Sequence, residues 1–397
     1  MEGTIGMVLS GGGVRGAYEF GALEVLAPVL DEPARIIVGT SAGALGAAYL
    51  AANAHEGLEA AARSGAERWL EVDVGDVIGP LCSARELARV LLYGLELLGI
   101  RAPAPPSLLD TSPQAETIAA LIDFEQLARN VQDGTLVTAA VVATSYATAR
   151  SVVFHDGGEP PPADDRRGID YVATRLAVGH VHASSAIQSL FPAVRVGERW
   201  YGDGGVRLNT PLAPAVALGT THVVVVATHP ETYAAPPPPR PQSRPPDVVD
   251  SMVAVLGSVL ADRMVEDLHT LDKINRNVDG GPARLIPRLF VGPNTRHEIG
   301  ELAAKAYTAR HRGPRAVVEL DFRLLHALIG ACEKGNGDLL SYLFFDEAFI
   351  SDAIALGIRY ARNTLGRGAP WQPAPTAASP AGTSKATSLT TPGSPAP

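Results

Sequence analysis

The chain has 397 residues, a formal net charge of −9, 46% hydrophobic and 19% charged residues, which is the balance of a globular chain with ample core. The acidic excess argues against nucleic acid as a partner and against capture by an anionic bilayer through overall charge alone. Cys82 and Cys332 are too far apart in sequence for a metal or redox motif, so no disulfide framework is expected and a reducing, cytoplasmic compartment fits.

Residues 4–9 (TIGMVL) predict a short strand, so close to Met1 that no signal peptide fits before it. Ser10-Gly11-Gly12-Gly13-Val14-Arg15-Gly16 follows, and then a helix through Tyr18, Leu23 and Leu26. Gly11, Gly13 and Gly16 satisfy G-x-G-x-x-G, the dinucleotide fingerprint. That site needs an acidic residue at the end of the second strand. Asp31 and Glu32 precede that strand, and Gly39-Thr40-Ser41 follows it, so the ribose acceptor is missing. The competing reading is an oxyanion site, in which adjacent glycines let main-chain amides approach a substrate unobstructed. Arg15 reads equally as a loop-ordering group, a contact for an anionic head group, or a surface ion pair.

Arg35 to Leu50 (RIIVGTSAGALGAAYL) reads as strand, tight turn and helix. Ser41 sits at the apex, with Gly39 and Gly43 two residues to either side. Such a turn strains the serine backbone, lifts the hydroxyl clear of the sheet and leaves it at a helix N-terminus. The uncharged run 36–54 approaches membrane-spanning length, but its Gly, Ser, Thr and Asn content marks a buried strand and helix, not a span. If the first two strands are parallel neighbours, the glycine loop lies beside Ser41.

An amphipathic helix is predicted over 55–70 and irregular chain over 72–83. The apolar helix at 84–100 reads either as core or as a lid hinged at the Pro-rich loop 103–106. Strands are predicted at 135–144 and 152–155, with Asp156-Gly157-Gly158 as a turn. A helix over 174–190 holds Ser184, Ser185 and Ser189 as packing or capping hydroxyls. Short strands at 194–196 and 199–201 lead to Asp203-Gly204-Gly205, and Asn209-Thr210-Pro211 opens the next helix. Residues 221–227 (THVVVVA) predict a central strand. A Pro-rich solvated loop at 236–246, a helix over 249–276, a strand within 284–291 and mainly helix to 363 complete the order. The Ala/Pro/Ser/Thr-rich tail is predicted to be disordered.

A nucleophilic serine needs a base. His222 and His229 supply the Ser…Asp…His order of α/β-hydrolases, yet that fold places several strands before its nucleophile and only one precedes Ser41's own here. Asp203, after a strand and before two glycines, reads either as a turn residue or as a partly desolvated carboxylate accepting the proton directly.

Three ordered motifs, G-G-G-x-R-G, G-T-S-A-G and D-G-G-v-x-x-N-t-P, together resemble the patatin-like phospholipase family over about residues 4–362. Ser184 to Val194 (SSAIQSLFPAV) and Ser341 to Ala348 (SYLFFDEA) are similar to further blocks of that family. The resemblance implies a three-layer α/β/α fold with a mostly parallel central sheet. It implies Ser41 as nucleophile and Asp203 as base, with Gly11, Gly12, Gly13 and the Ala42 amide lining an oxyanion hole. Arg15, Gly16, Gly39, Gly43, Gly204 and Gly205 complete the motifs, while Ser10 stands where many members carry an acidic or other polar residue. The implied activity is serine-type lipid acyl hydrolysis on lipid or phospholipid, with transient peripheral membrane contact, no nucleic acid, and no metal or organic cofactor. The expected organisation is one domain over 1–365, interrupted by a Pro-rich insert at about 232–248, and a tail over 366–397. A non-catalytic lipid-binding or scaffold protein on the same fold, or a dinucleotide-dependent enzyme, are the rival readings.

Overall fold

The computed structural model describes residues 3–30, 32–80, 107–232, 264–275, 285–311, 337–367 and 371. The predicted apolar helix at 84–100 with its loop at 103–106, the Pro-rich insert, the first half of the helix over 249–276 and nearly all of the tail lie outside these residues.

Strand β1 (Ile5–Leu9) leads through the glycine loop into α1 (Gly16–Leu26), and β2 (Ala34–Thr40) leads through Ser41 into α2 (Ala42–Ala52). After α3 (Leu58–Glu71) come α4 (Ser112–Leu121) and α5 (Phe124–Gln132), then β3 (Thr138–Ser145), β4 (Ser151–Asp156), β5 (Ile169–Ala173) and α6 (Val178–Ser184). The hairpin β6 (Val194–Val196) and β7 (Arg199–Asp203) is followed by α7 (Gly205–Leu208), α8 (Leu212–Ala217), β8 (His222–Val226) and β9 (Arg288–Val291). Three helices close the described chain: α9 (Glu298–His311), α10 (Gly337–Leu343) and α11 (Glu347–Leu365).

The sheet runs β5-β4-β3-β2-β1-β8-β9, with β7 hydrogen-bonded to β3 and β6 to β7. Neighbours β3-β2-β1-β8-β9 are all parallel, and among the named strands the antiparallel pairs are β3–β4, β3–β7 and β6–β7. Alternation along each strand divides the core between two faces. Met7, Leu9, Ile37, Val141 and Val224 point to α1, α2 and α11, whereas Val8, Ile36, Val38, Val142 and Val225 point to α8 and the helical residues 264–271. Because both faces are covered, the central strands read as unbroken apolar runs rather than as polar–apolar alternation. At roughly 1.5–3 kcal/mol for each fully buried aliphatic side chain, this double burial is the main stabilising force. The architecture is three-layer α/β/α with a mostly parallel central sheet.

The sequence reading departs from the structure at 174–190, where the helix lasts only from Val178 to Ser184. Ser185 then ends it, its hydroxyl donating back to Val181 O and His182 O. The helices α4 and α5 and the strand β5 carry no prediction; α4 and β5 hold little periodic signal, but α5 does carry one, with Phe124, Leu127, Ala128 and Val131 at helical spacing.

Candidate active site

Strand register brings the candidate groups together. Thr40, the last residue of β2, pairs with Val142, and Asp203, the last of β7, pairs with the next residue, Ala143, along the same edge of β3, whose other edge is taken by β4. Ser41 is therefore level with Ala143 and directly beside Asp203, with no strand between them. Ser41 Oγ donates to Asp203 Oδ2 at 2.6 Å, and both residues are buried.

Ser41 has φ 55° and ψ −122°, a backbone region that a side chain with Cβ enters only at a cost of about 1–3 kcal/mol. The neighbours over-determine it. A Cβ on Gly39 would fall on Gly43 O, and one on Gly43 would fall on Leu9 O, so β1, β2 and α2 meet at a distance only glycine permits. The Ser41 amide donates to Ser184 Oγ at 3.0 Å, and Ser184 Oγ donates onward to Val142 O at 2.5 Å. Although Ser41 is the N-cap of α2, its hydroxyl does not cap the helix but turns to Asp203.

Asp203 is held from all sides. Gly205 N donates to its Oδ1 at 2.6 Å, and its carbonyl oxygen accepts from Thr144 Oγ1 at 2.9 Å and Gln188 Nε2 at 2.8 Å. Burial pushes its carboxyl up from the usual 3.8 to about 6, against the opposing pull of the Ser41 and Gly205 hydrogen bonds. Gly204 backs onto Val142 O, where any side chain would collide.

The glycine loop reaches the same edge of the sheet. Gly11 packs against Ser41 Cβ and Asn209, but its own amide is already engaged, donating to Asn209 O at 2.9 Å. Among the described residues the amides of Gly12, Gly13 and Ala42 have no acceptor. Gly13 and Ala42 line a cavity together with Ser41. This cavity holds about 900 Å³ of empty space, counted out to solvent at its mouth, and runs between α2, α3 and α4 past Leu45, Trp69, Ile118 and Phe191.

A family model for patatin-like phospholipase matches residues 7–216. The chain belongs to the patatin-like phospholipase family.

A solved structure of VipD from Legionella pneumophila is similar at 16% identity and a TM-score of 0.30, over 74% of this chain and 62% of that one. The chain thus spans less than two thirds of that structure's length, and the likeness is too weak to bear on fold or function. No curated protein matches the chain.

In this patatin-like protein Arg15 is 1% exposed and turned inward. Its Nε donates to Ser341 Oγ at 2.6 Å, its Nη2 reaches Asp338, and its guanidinium lies 4.4 Å from the centre of the Tyr342 ring. Of the three readings of Arg15, the geometry matches loop ordering: the side chain ties the glycine loop to α10. Gly16 lets α1 approach Ala42 and Trp69. Ser10 is anchored by Glu19, whose carboxylate accepts from both the Ser10 amide (2.8 Å) and hydroxyl (2.9 Å). Glu19 had no signal in the sequence; it is one of two acids in a largely apolar helix, its carboxyl pushed well up by burial.

The two histidines of the triad reading stand apart from the pair. His222 begins β8 level with Ile5, at the amino edge of the sheet. His229 is buried against Thr228 and Tyr342, and desolvation, aided by the Arg15 and Arg296 charges, lowers its pKa to about 3. Among the described residues, no histidine hydrogen-bonds Ser41 or Asp203. Asp156 pairs with Ala139, roughly 13 Å along β3 from the level of Asp203, and caps the turn before α6 through Leu176 N. No group of three or more His, Cys, Asp or Glu side chains suited to a metal ion occurs among the described residues. No helix among them is long and apolar enough to cross a membrane.

Proposed function

We propose that the protein is a serine-type lipid acyl hydrolase, with Ser41 as nucleophile and Asp203 as the base that activates it. The observation that carries this is the 2.6 Å hydrogen bond from Ser41 Oγ to a buried carboxylate at the edge of a large apolar cavity. As Ser41 Oγ attacks the ester carbonyl, its proton passes to Asp203 Oδ2. The amides of Gly12, Gly13 and Ala42 receive the developing oxyanion, each such donor being worth roughly 3–4 kcal/mol of barrier. Gly11 contributes space rather than a donor, because Asn209 O holds its amide. When the tetrahedral intermediate collapses, Asp203 returns the proton to the departing alcohol or lysolipid oxygen. Water then attacks the acyl-enzyme with Asp203 again taking a proton, releasing fatty acid and restoring Ser41. The apolar cavity suits an acyl chain, and the family points to lipid as substrate. The working location we propose is cytoplasmic, with peripheral contact at membranes.

A fluorophosphonate probe tests the assignment directly. Labelling is expected on Ser41 alone, located by peptide mass spectrometry. An unlabelled protein would favour a lipid-binding protein without turnover.

The cavity also sets an expectation for chain length. Leu45 lies one turn along α2 from Ser41 and lines the acyl path. Leu45→Phe is expected to lower kcat/KM for p-nitrophenyl palmitate about tenfold relative to the butyrate ester. Equal losses on both esters would place the acyl chain elsewhere.

A further inference from the structure

The hairpin β6–β7 projects from the edge of the sheet that carries Ser41 and Asp203. Asp203 ends β7 level with Ala143, and the strand runs back from there past the end of β3, where Tyr146 N donates to Trp200 O at 3.1 Å. At about 3.3 Å per residue, Trp200 stands roughly 10 Å beyond Asp203. This is where the chain displays large aromatics: Trp200 is 52% and Tyr146 54% exposed. The two form one patch. Trp200 and Gly202 share a face of β7, and Gly202 lies beneath the Tyr146 ring, which a Cβ there would meet at 3.1 Å. Arg195 is the cross-strand partner of Trp200 and shares its face, and Arg199, adjacent to Trp200 along β7, leaves the opposite face of the same hairpin tip. Both arginines are exposed, and among the described residues neither makes an ion pair. The loop from Ile187 to Phe191 that leads into the hairpin also lines the apolar cavity.

From this geometry we infer that the hairpin tip, through Trp200, Tyr146, Arg195 and Arg199, is the surface by which the protein docks on a bilayer containing anionic lipid. Trp and Tyr are the side chains that settle at the level of lipid head groups, with the ring in the apolar boundary and the polar edge wet. Two exposed arginines, one on each face of the hairpin tip, match a negative lipid surface, at a range within a Debye length. On a chain of net charge −9 that local patch also orients the approach, because the rest of the surface is repelled. Docking there would hold the edge bearing Ser41 toward the membrane. The inference rests on the lipid hydrolase reading for its purpose but not for its test.

The test uses the full-length protein and vesicles of dialkyl-ether lipids, which offer no ester to cleave, made from phosphatidylcholine with or without phosphatidylglycerol. Wild type is expected to co-sediment with the anionic vesicles. The Trp200→Ser/Tyr146→Ser variant is expected to bind both compositions about tenfold more weakly. Arg195→Gln/Arg199→Gln is expected to lose at least about tenfold on anionic vesicles and little on neutral ones. Hydrolysis of soluble p-nitrophenyl butyrate is expected to be unchanged in both variants, which also reports intact folding, and Trp200→Tyr is expected to restore binding. Wild-type protein that ignores vesicles, or variants that bind as tightly as wild type, would overturn the docking surface. Protein that binds vesicles through these residues yet hydrolyses no ester would leave the surface standing and overturn the hydrolase reading instead.

Discussion

Asp203→Asn is expected to cut fatty acyl ester turnover by roughly a hundred- to ten-thousandfold while making the protein more stable at neutral and alkaline pH. Asn keeps the shape: its oxygen can still accept from Gly205 N, and its amide can donate to Ser41 Oγ, but it cannot take the serine proton. The stability gain follows from burial, which raises the carboxyl from 3.8 to about 6. A raised carboxyl contributes stability that is fully present below about pH 4 and is lost as pH rises through about 6. At 1.36 kcal/mol per pH unit of separation, the loss is about 3 kcal/mol. The variant carries no such charge, so by about pH 8 it is expected to exceed wild type by up to that amount in denaturant unfolding. The same titration governs activity with the opposite benefit. Only the carboxylate can act as base, so wild-type kcat/KM is expected to rise about tenfold per pH unit up to about 6 and then level off. Ser41→Ala is expected to fall to background, and His229→Ala to retain turnover because that ring is neutral and bonded elsewhere. Full activity in Asp203→Asn, or its loss in His229→Ala with the fold intact, would sink the assignment of the base.

The sequence carried the parts of this site that are local. Gly39-Thr40-Ser41-Ala42-Gly43 announces its turn because strand, apex and helix are contiguous, and the glycine loop does the same after β1. What joins Ser41 to Asp203 is not local. It is the register of β2 and β7, which follow one another along the same edge of β3, fixed by side-chain packing across more than 160 residues of separation. Only resemblance to a family could pair the two in advance. Ser184 read as a packing hydroxyl because nothing in its surroundings reveals that it will accept the Ser41 amide. The engagement of the Gly11 amide by Asn209 likewise depends on a contact between distant loops, so three adjacent glycines looked equivalent when they are not. Strands β1, β2, β3 and β8 were legible because burial on both faces writes an uninterrupted apolar run. The edge strand β5, with Asp170 and exposed Val172, has no such run and went unread.

Two glycines on one helix provide the sharpest test of how the turn is built. Gly43→Ala is expected to destabilise the protein by about 3 kcal/mol or more and to abolish ester turnover, whereas Gly46→Ala is expected to be within about 1 kcal/mol of wild type. Both lie in α2, where alanine is intrinsically better than glycine by roughly 1 kcal/mol, so propensity alone predicts that both gain. The difference lies in what the added methyl meets. At Gly46 the nearest atoms are Leu9 Cδ1 at 3.1 Å and Phe20 Cε2 at 3.2 Å, side-chain atoms that can yield by small torsions. At Gly43 they are Leu9 O and Ser10 O, backbone of the strand end that carries the glycine loop. Backbone fixed in a central parallel strand cannot move aside without breaking ladder hydrogen bonds to β2 and β8. Relief would therefore come from displacing α2 away from β1, which drags Ser41 from Asp203 and opens the gap between the Ala42 and Gly13 amides. Thermal unfolding of the two variants beside wild type measures this. A drop of roughly 4 °C or more is expected for Gly43→Ala alone. Equal melting temperatures for the two variants would show that close approach of β1 and α2 does not hold the serine turn, and the strained geometry at Ser41 would then need another support.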